Sequence, residues 1–264
     1  MEKRDGHIHS PYCPHGTNDS FEEYINKALE MGLKEITFTE HLPLPKLNCD
    51  YQYIDDCAMR AEDTDKYIKD VEDLKIKYKD IIKINLGFEV DYVEGFEKEI
   101  TEMLNKYKDH IDDAILSVHF VKYNGKDLAI DDADYLKVLI NETGGIEKVY
   151  DLYFETVLKS INADLGEGKP HRIGHPTLIR RYNQKFPCEY KNNQLLEKIV
   201  KTIKEKDYEV DINTAGLRKE GCGEIYPSGY FKELVEKYQV RKVFGSDSHT
   251  ASDVGRDFDL YYFK

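Results

Sequence analysis

Tryptophan is absent from this 264-residue chain, so twenty Tyr and eleven Phe carry its whole aromatic content. No apolar run approaches the length of a membrane span, which excludes a membrane-crossing helix. The first residues, Met-Glu-Lys-Arg-Asp-Gly-His, hold no apolar h-region, so no secretory signal is expected. Cys13, Cys49, Cys57, Cys188 and Cys222 form no CxxC pair and are odd in number. That argues against a disulfide framework and for reduced thiols in a cytoplasmic protein. Positive charge is also scarce: 38 basic residues face 51 acidic ones, a net charge of −13. A general basic surface for nucleic acid is thereby disfavoured. An anionic substrate would need a local positive field, which bound metal ions supply. Internal repeats, low-complexity tracts and Pro/Gly/Ser-rich linkers are lacking, so residues 1–264 read as one domain.

What is present is alternation. Short β-branched or aromatic segments predict strands at Arg4–Ser10, Glu35–Glu40, Ile82–Glu89, Ala114–Phe120, Arg172–His175, Glu209–Asn213 and Lys242–Ser246. Helical spacing of apolar residues predicts helices over Phe21–Met31, Ala58–Tyr78, Ile146–Ile161, Leu195–Lys206 and Tyr230–Tyr238, with Ser20 capping the first. Seven strands alternating with helices fit a parallel barrel or a doubly wound sheet. Pattern alone leaves both open.

The histidines favour the barrel. His7 and His9 end the first strand, and His15 stands in the loop after it. His41 follows the second strand, His119 ends the fourth, His175 the fifth, and His249 follows the last. Glu89 and Asp247 stand at comparable ends, while His110 and His171 precede their strands. The C-terminal strand ends of a (β/α) barrel converge on one face, where active sites sit. His7 and His9 project to the same side of a strand, roughly 6.6 Å apart at ~3.3 Å per residue, so both can reach one metal. Asp247 and His249 repeat that spacing. These nine residues are the candidate metal ligands.

Asp5-Gly-His7-Ile-His9-Ser, Thr39-Glu40-His41, Gly87-Phe88-Glu89, Ser117-Val-His119, Gly174-His175-Pro176 and Ser246-Asp247-Ser-His249 resemble, in order, the motifs of the polymerase and histidinol phosphatase (PHP) family. The match runs from residue 5 to residue 249. The resemblance implies an α/β fold, a distorted TIM-like (β/α)7 barrel, and three divalent metal ions. It assigns His7, His9, Glu89 and Asp247 to the first ion. Glu89 bridges to the second, which His119 and His175 complete, and His15, His41 and His249 hold the third. Many members have Asp where this chain has Glu40, to which no ligand role is given. Residues 39–45, 117–120 and 211–219 look like those of the histidinol-phosphate phosphatase branch.

The chemistry expected is hydrolysis of a small phosphate monoester, L-histidinol phosphate, in histidine biosynthesis. Nucleotide bisphosphates, phosphotyrosine or DNA ends are the alternative substrates. Histidine and carboxylate ligands suit Zn²⁺, Fe²⁺ or Mn²⁺. A hydroxide held between metals would be the nucleophile, so neither Ser nor Cys is needed for that role. Glu89 and Asp247 are the expected catalytic carboxylates. Asp247 and a metal-bound water are equal candidates for protonating the leaving alkoxide. Arg181 and Arg218 are expected to grip the phosphate, with Arg180 as fallback. Glu220 and the Asp131–Asp134 stretch are candidates for meeting the substrate amine.

Overall fold

The computed structural model describes residues 3–262. Its main sheet is parallel, in the order β1 (Arg4–Ile8), β2 (Glu35–His41), β3 (Lys83–Asp91), β4 (Ile115–Ser117), β7 (Arg172–Ile173), β8 (Glu209–Asn213), β9 (Arg241–Gly245). Beyond β9 the chain returns to β1: Asp247 N–H donates to the His7 carbonyl (2.8 Å) and His9 N–H to that of Ser248 (3.0 Å). These bonds nearly close the barrel. The expected (β/α)7 architecture is therefore present.

Helices α1 (Phe21–Glu30), α2 (Thr64–Tyr78), α3 (Glu97–Tyr107), α6 (Asn193–Glu205) and α7 (Gly229–Lys237) each lead from one strand to the next. The β4–β7 crossover is longer. It holds an antiparallel hairpin, β5 (Phe120–Tyr123) and β6 (Lys126–Ala129), then α4 (Ala133–Thr143) and α5 (Ile146–Asn162). Ser20 begins α1 as expected. Its side chain accepts from Glu23 N–H, and the Glu23 carboxylate accepts from Ser20 N–H at 2.7 Å, satisfying two otherwise unpaired donors. The α5 stripe also holds: Val149, Tyr153, Val157 and Ile161 are all buried. Helix α2 starts later than the spacing suggests. Ala58 and Met59 are buried beside β2, where Met59 N–H donates to the His41 carbonyl, so this stretch follows the strand end instead of turning as helix.

Strand β3 is buried on both faces apart from Lys83, as a barrel strand covered by helices should be. The strands thus stand as rigid posts, and their C-terminal ends carry the polar residues described next.

Candidate metal centre

Glu89, near the end of β3, is the hub. It is 1 % exposed, and five imidazoles point at it. Oε2 lies 3.2 Å from His7 Nε2, 3.5 Å from His9 Nε2 and 3.3 Å from His41 Nδ1. Oε1 lies 2.8 Å from His175 Nε2 and 3.7 Å from His119 Nε2. Ser117 Oγ–H also donates to Oε1 at 2.6 Å. Asp247 Oδ1 lies 3.2 Å from His9 Nε2 and 3.7 Å from His7 Nε2. His15 Nε2 and His249 Nε2 face each other at 2.9 Å. All nine sequence-derived ligand residues therefore meet at one end of the barrel. His110 and His171 do not: His110 pairs with Glu72 at 2.7 Å, and the His171 ring rests near Tyr208.

The rings are held from behind. Asp211 lies 2.8 Å from His7 Nδ1, Glu40 3.3 Å from His9 Nδ1, and Asp91 2.7 Å from His119 Nδ1. Carboxylates that hold one ring nitrogen direct the other toward a metal. The sequence alone assigns no role to Asp91 or to Asp211, although the latter opens the 211–219 motif and each shares strand parity with a neighbouring polar residue: Asp91 with Glu89, and Asp211 with Asn213. Asn213 in turn donates to Asp247 Oδ2 at 3.1 Å. Glu40, given no ligand role, orients His9 and accepts from the Ser10 hydroxyl (2.6 Å) and the His41 N–H (3.0 Å). Gly245 makes room for this arrangement. A Cβ there would lie 2.4 Å from both Asp211 Oδ1 and the His7 Cβ.

His15 and His249 use main-chain partners instead. His15 Nδ1 meets the Asp56 carbonyl at 2.6 Å, and His249 Nδ1 meets the Asp247 carbonyl at 3.0 Å. A carbonyl only accepts, so both Nδ1 atoms donate. In the neutral rings both Nε2 atoms then present lone pairs, and a proton or a metal ion must stand between them. His175 and Asp247 adopt φ of 20° and 51°, a region that non-glycine residues rarely enter. Such local strain is often stored at functional sites.

Charge balance points the same way. Glu40, Glu89, Asp91, Asp211 and Asp247 meet no Lys or Arg among the described residues. Burial resists ionisation of Glu89, yet the imidazoles, His7 foremost, hold it well below the usual carboxylate range. Burial likewise disfavours charge on His7 and His119, but Glu89, Asp247 and Asp211 push the first up to about 10 and Asp91 leads in pushing the second to about 10. Burial pushes His41 and His249 well down, which keeps those rings available as neutral donors. Three of the compact donor groups are His7/His9/Glu89, Glu89/His119/His175 and His9/His41/His249. Buried imidazoles and carboxylates with their outer atoms already held suit divalent metal ions. Cys13 adds a buried thiol close to His15 and His249, a donor absent from the sequence reading.

A cavity of about 310 Å³ opens over the centre, lined by His15, His41, Glu89, His119, His175, Asp247 and His249. Arg181 and Lys219 form a basic part of its wall, and Tyr51 and Tyr53 of the 42–63 loop an aromatic part. Arg218, expected to grip phosphate, does not reach this lining. Its guanidinium is spent on Asp253 (3.0 Å), the Ser246 carbonyl (2.7 Å) and Asp257 (3.5 Å). Arg180 is held by both oxygens of Glu224, at 2.7 and 2.6 Å. Glu220 offers its main-chain carbonyl to Arg181 and lies outside the cavity lining. Among the described residues no helix is long and apolar enough to cross a membrane.

Comparison with known proteins agrees with this geometry. The chain is 41% identical to a histidinol-phosphatase of Bacillus subtilis, over 99% of this chain and 98% of that protein. A crystal structure of a Listeria monocytogenes protein assigned as a histidinol phosphatase superposes with a TM-score of 0.92 at 37% identity, covering 98% of this chain and all of that one. A Lactococcus lactis histidinol phosphate phosphatase, crystallised with zinc, L-histidinol and phosphate, shares the fold at a TM-score of 0.72 and 21% identity, over 99% and 90% of the two chains. Residues 5–215 match the PHP domain, and with the full-length likeness to the Bacillus protein this places the chain in the PHP family, in its histidinol-phosphatase branch.

Proposed function

We propose that this chain, as one barrel domain in a reducing cytoplasm, hydrolyses L-histidinol phosphate to L-histidinol and phosphate, the reaction histidine biosynthesis requires. The observation that carries this reading is the full-length 41% identity to a histidinol-phosphatase. The cavity supports it, because His, Glu and Asp donors line the same space as Arg181 and Lys219.

Three divalent ions, zinc, iron or manganese, fit the donors. His7, His9, Glu89 and Asp247 would hold one, Glu89 with His119 and His175 a second, and His15, His41 and His249 a third. When bound, such ions provide a hydroxide nucleophile near neutral pH and offset charge on the phosphoryl oxygens. The protein's own residues do the rest. Glu89 would serve two of these sites, and Ser117 holds Glu89 in place. Arg181 and Lys219 face the cavity and take the phosphoryl oxygens, the role first expected of Arg181 and Arg218. Glu89 and Asp247 would be the catalytic carboxylates, and Asn213 holds Asp247 in place.

Steady-state kinetics on a substrate panel test the proposal. With metal-loaded enzyme, kcat/KM for L-histidinol phosphate should exceed that for phosphotyrosine, a nucleotide bisphosphate and p-nitrophenyl phosphate by about a hundredfold or more, because several cavity contacts must be specific to it. Equal efficiency across the panel would remove the assignment.

A further inference from the structure

Five carboxylates line the cavity: Asp56, Glu89, Asp91, Asp131 and Asp247. Three are committed. Glu89 faces the imidazoles, Asp91 holds His119, and Asp247 meets His9 and Asn213. The side chains of Asp56 and Asp131 have no hydrogen bond or ion pair among the described residues.

Of these two, Asp131 is the better fixed. Ile130 N–H just before it donates to the His119 carbonyl at 3.0 Å. Asp132 just after it caps α4, accepting from the N–H groups of Asp134 (2.9 Å) and Tyr135 (3.1 Å). The carboxylate is thus mounted between a metal-ligand segment and a helix start. Its field reaches the cavity wall: after burial itself, the Asp131 charge is the leading influence raising the Tyr51 hydroxyl and the Cys57 thiol. It also acts on His119 and Tyr182. Asp56, by contrast, sits on the 42–63 loop and uses its main-chain carbonyl to hold His15.

The cavity is therefore polar in a particular sense. Arg181, Lys219 and the metal donors mark a place for the phosphate, and Asp131 is an uncommitted negative charge by the aromatic wall. A zwitterionic phosphomonoester matches that pattern. In L-histidinol phosphate the ammonium is carried on the carbon next to the ester methylene, so phosphate and ammonium must bind within one small space. We propose that Asp131 is the specificity-determining carboxylate that receives the substrate ammonium, an inference that rests on the functional reading above. Asp131 then has a second effect. It repels a second phosphate group, which disfavours bisphosphorylated substrates.

The test is Asp131→Asn, which keeps the shape and removes the charge. In metal-loaded enzyme, kcat/KM for L-histidinol phosphate should fall about tenfold or more, mainly through KM, as expected for loss of a charge-assisted contact. The kcat/KM for p-nitrophenyl phosphate, which has no amine, should stay within about twofold, and metal content should not change. Inhibition gives an independent readout. Wild type should bind L-histidinol more tightly than the analogue lacking the amine, and Asp131→Asn should bind the two alike. If wild type prefers L-histidinol phosphate and the variant keeps that preference, or loses activity equally on both substrates, the assignment falls and the functional reading stands. If wild type shows no preference for L-histidinol phosphate, the functional reading falls and takes Asp131 with it.

Discussion

At the N-terminal end of the barrel, Asp113 accepts from Arg4, from Arg172 at 2.9 Å and from Thr37 at 3.0 Å, while Arg172 also donates to the Gly6 carbonyl. At the C-terminal end, Glu89 and Asp247 meet only imidazoles and neutral donors. Arg172 and Glu89 are fully buried, Arg4 and Asp113 partly so, and both clusters gather charge from distant strands. The first contains its own counter-ions. The second has to import positive charge, as protons on His7 and His119 or as metal ions, and metal binding should release those protons. A buried polar cluster whose charge is balanced within the chain holds the fold together. One that needs cations from outside is a site.

Substitutions at the two ends can break or sharpen this contrast. The largest effect is expected for Glu89→Gln. A neutral amide cannot serve two cations as a carboxylate does, so kcat/KM should drop by at least about a thousandfold, while the circular dichroism spectrum stays native. Near-normal turnover with full metal occupancy would end the hub assignment.

Next comes Asp113→Asn at the other end. Removing one partner leaves buried guanidinium charge without its counter-ion, at a cost of about 3–5 kcal/mol in unfolding free energy at neutral pH. Burial opposes ionisation of Asp113, but Arg172 and Arg4 outweigh it and hold the group below its ordinary value of 3.8. A carboxylate lowered in the folded state contributes its full stability above the unfolded value and loses it as pH falls through the folded one. The stability gap between wild type and Asp113→Asn should therefore be constant above pH 3.8 and narrow below it. A gap that ignores pH would mean that the ion pair is not what stabilises this end.

The smallest of the three is Asp211→Asn, a buried β8 residue that touches His7 from behind but is not one of the expected ligands. Metal affinity should weaken about tenfold to a hundredfold, read by chelator competition. Unchanged affinity would reduce Asp211 to packing.

Much of this was legible in the sequence, and the misses have physical causes. Buried strands announce themselves by short β-branched runs, and each of the seven segments read as strands overlaps a barrel strand, with ends that differ by a few residues. The ligands were legible because an imidazole at a strand end has few reasons to be there. Helix α3 buries only Ile100, Leu104 and Tyr107 in eleven mostly polar residues, a weak stripe. The β5–β6 hairpin carried the Asn124-Gly125 signal, with φ of 49° and 78°, but reading β4 through to Phe120 took in the first residue of β5 and left the rest unassigned. Asp91 and Asp211 act through other side chains, so they have no spacing rule of their own. Arg218 shows the converse: its place in a motif cannot reveal that Asp253, Asp257 and the Ser246 carbonyl claim its donors.

The two ways of holding an imidazole differ in how they tolerate mutation. His7, His9 and His119 depend on the side chains of Asp211, Glu40 and Asp91, so a single base change at any of those codons can loosen a ring. His15 and His249 depend on main-chain carbonyls, which every residue type supplies. Residue 56 can therefore drift in sequence without releasing His15, whereas an insertion or deletion in the 42–63 loop would displace the carbonyl. Within this protein, point substitution threatens one part of the metal centre and changes in loop length threaten another.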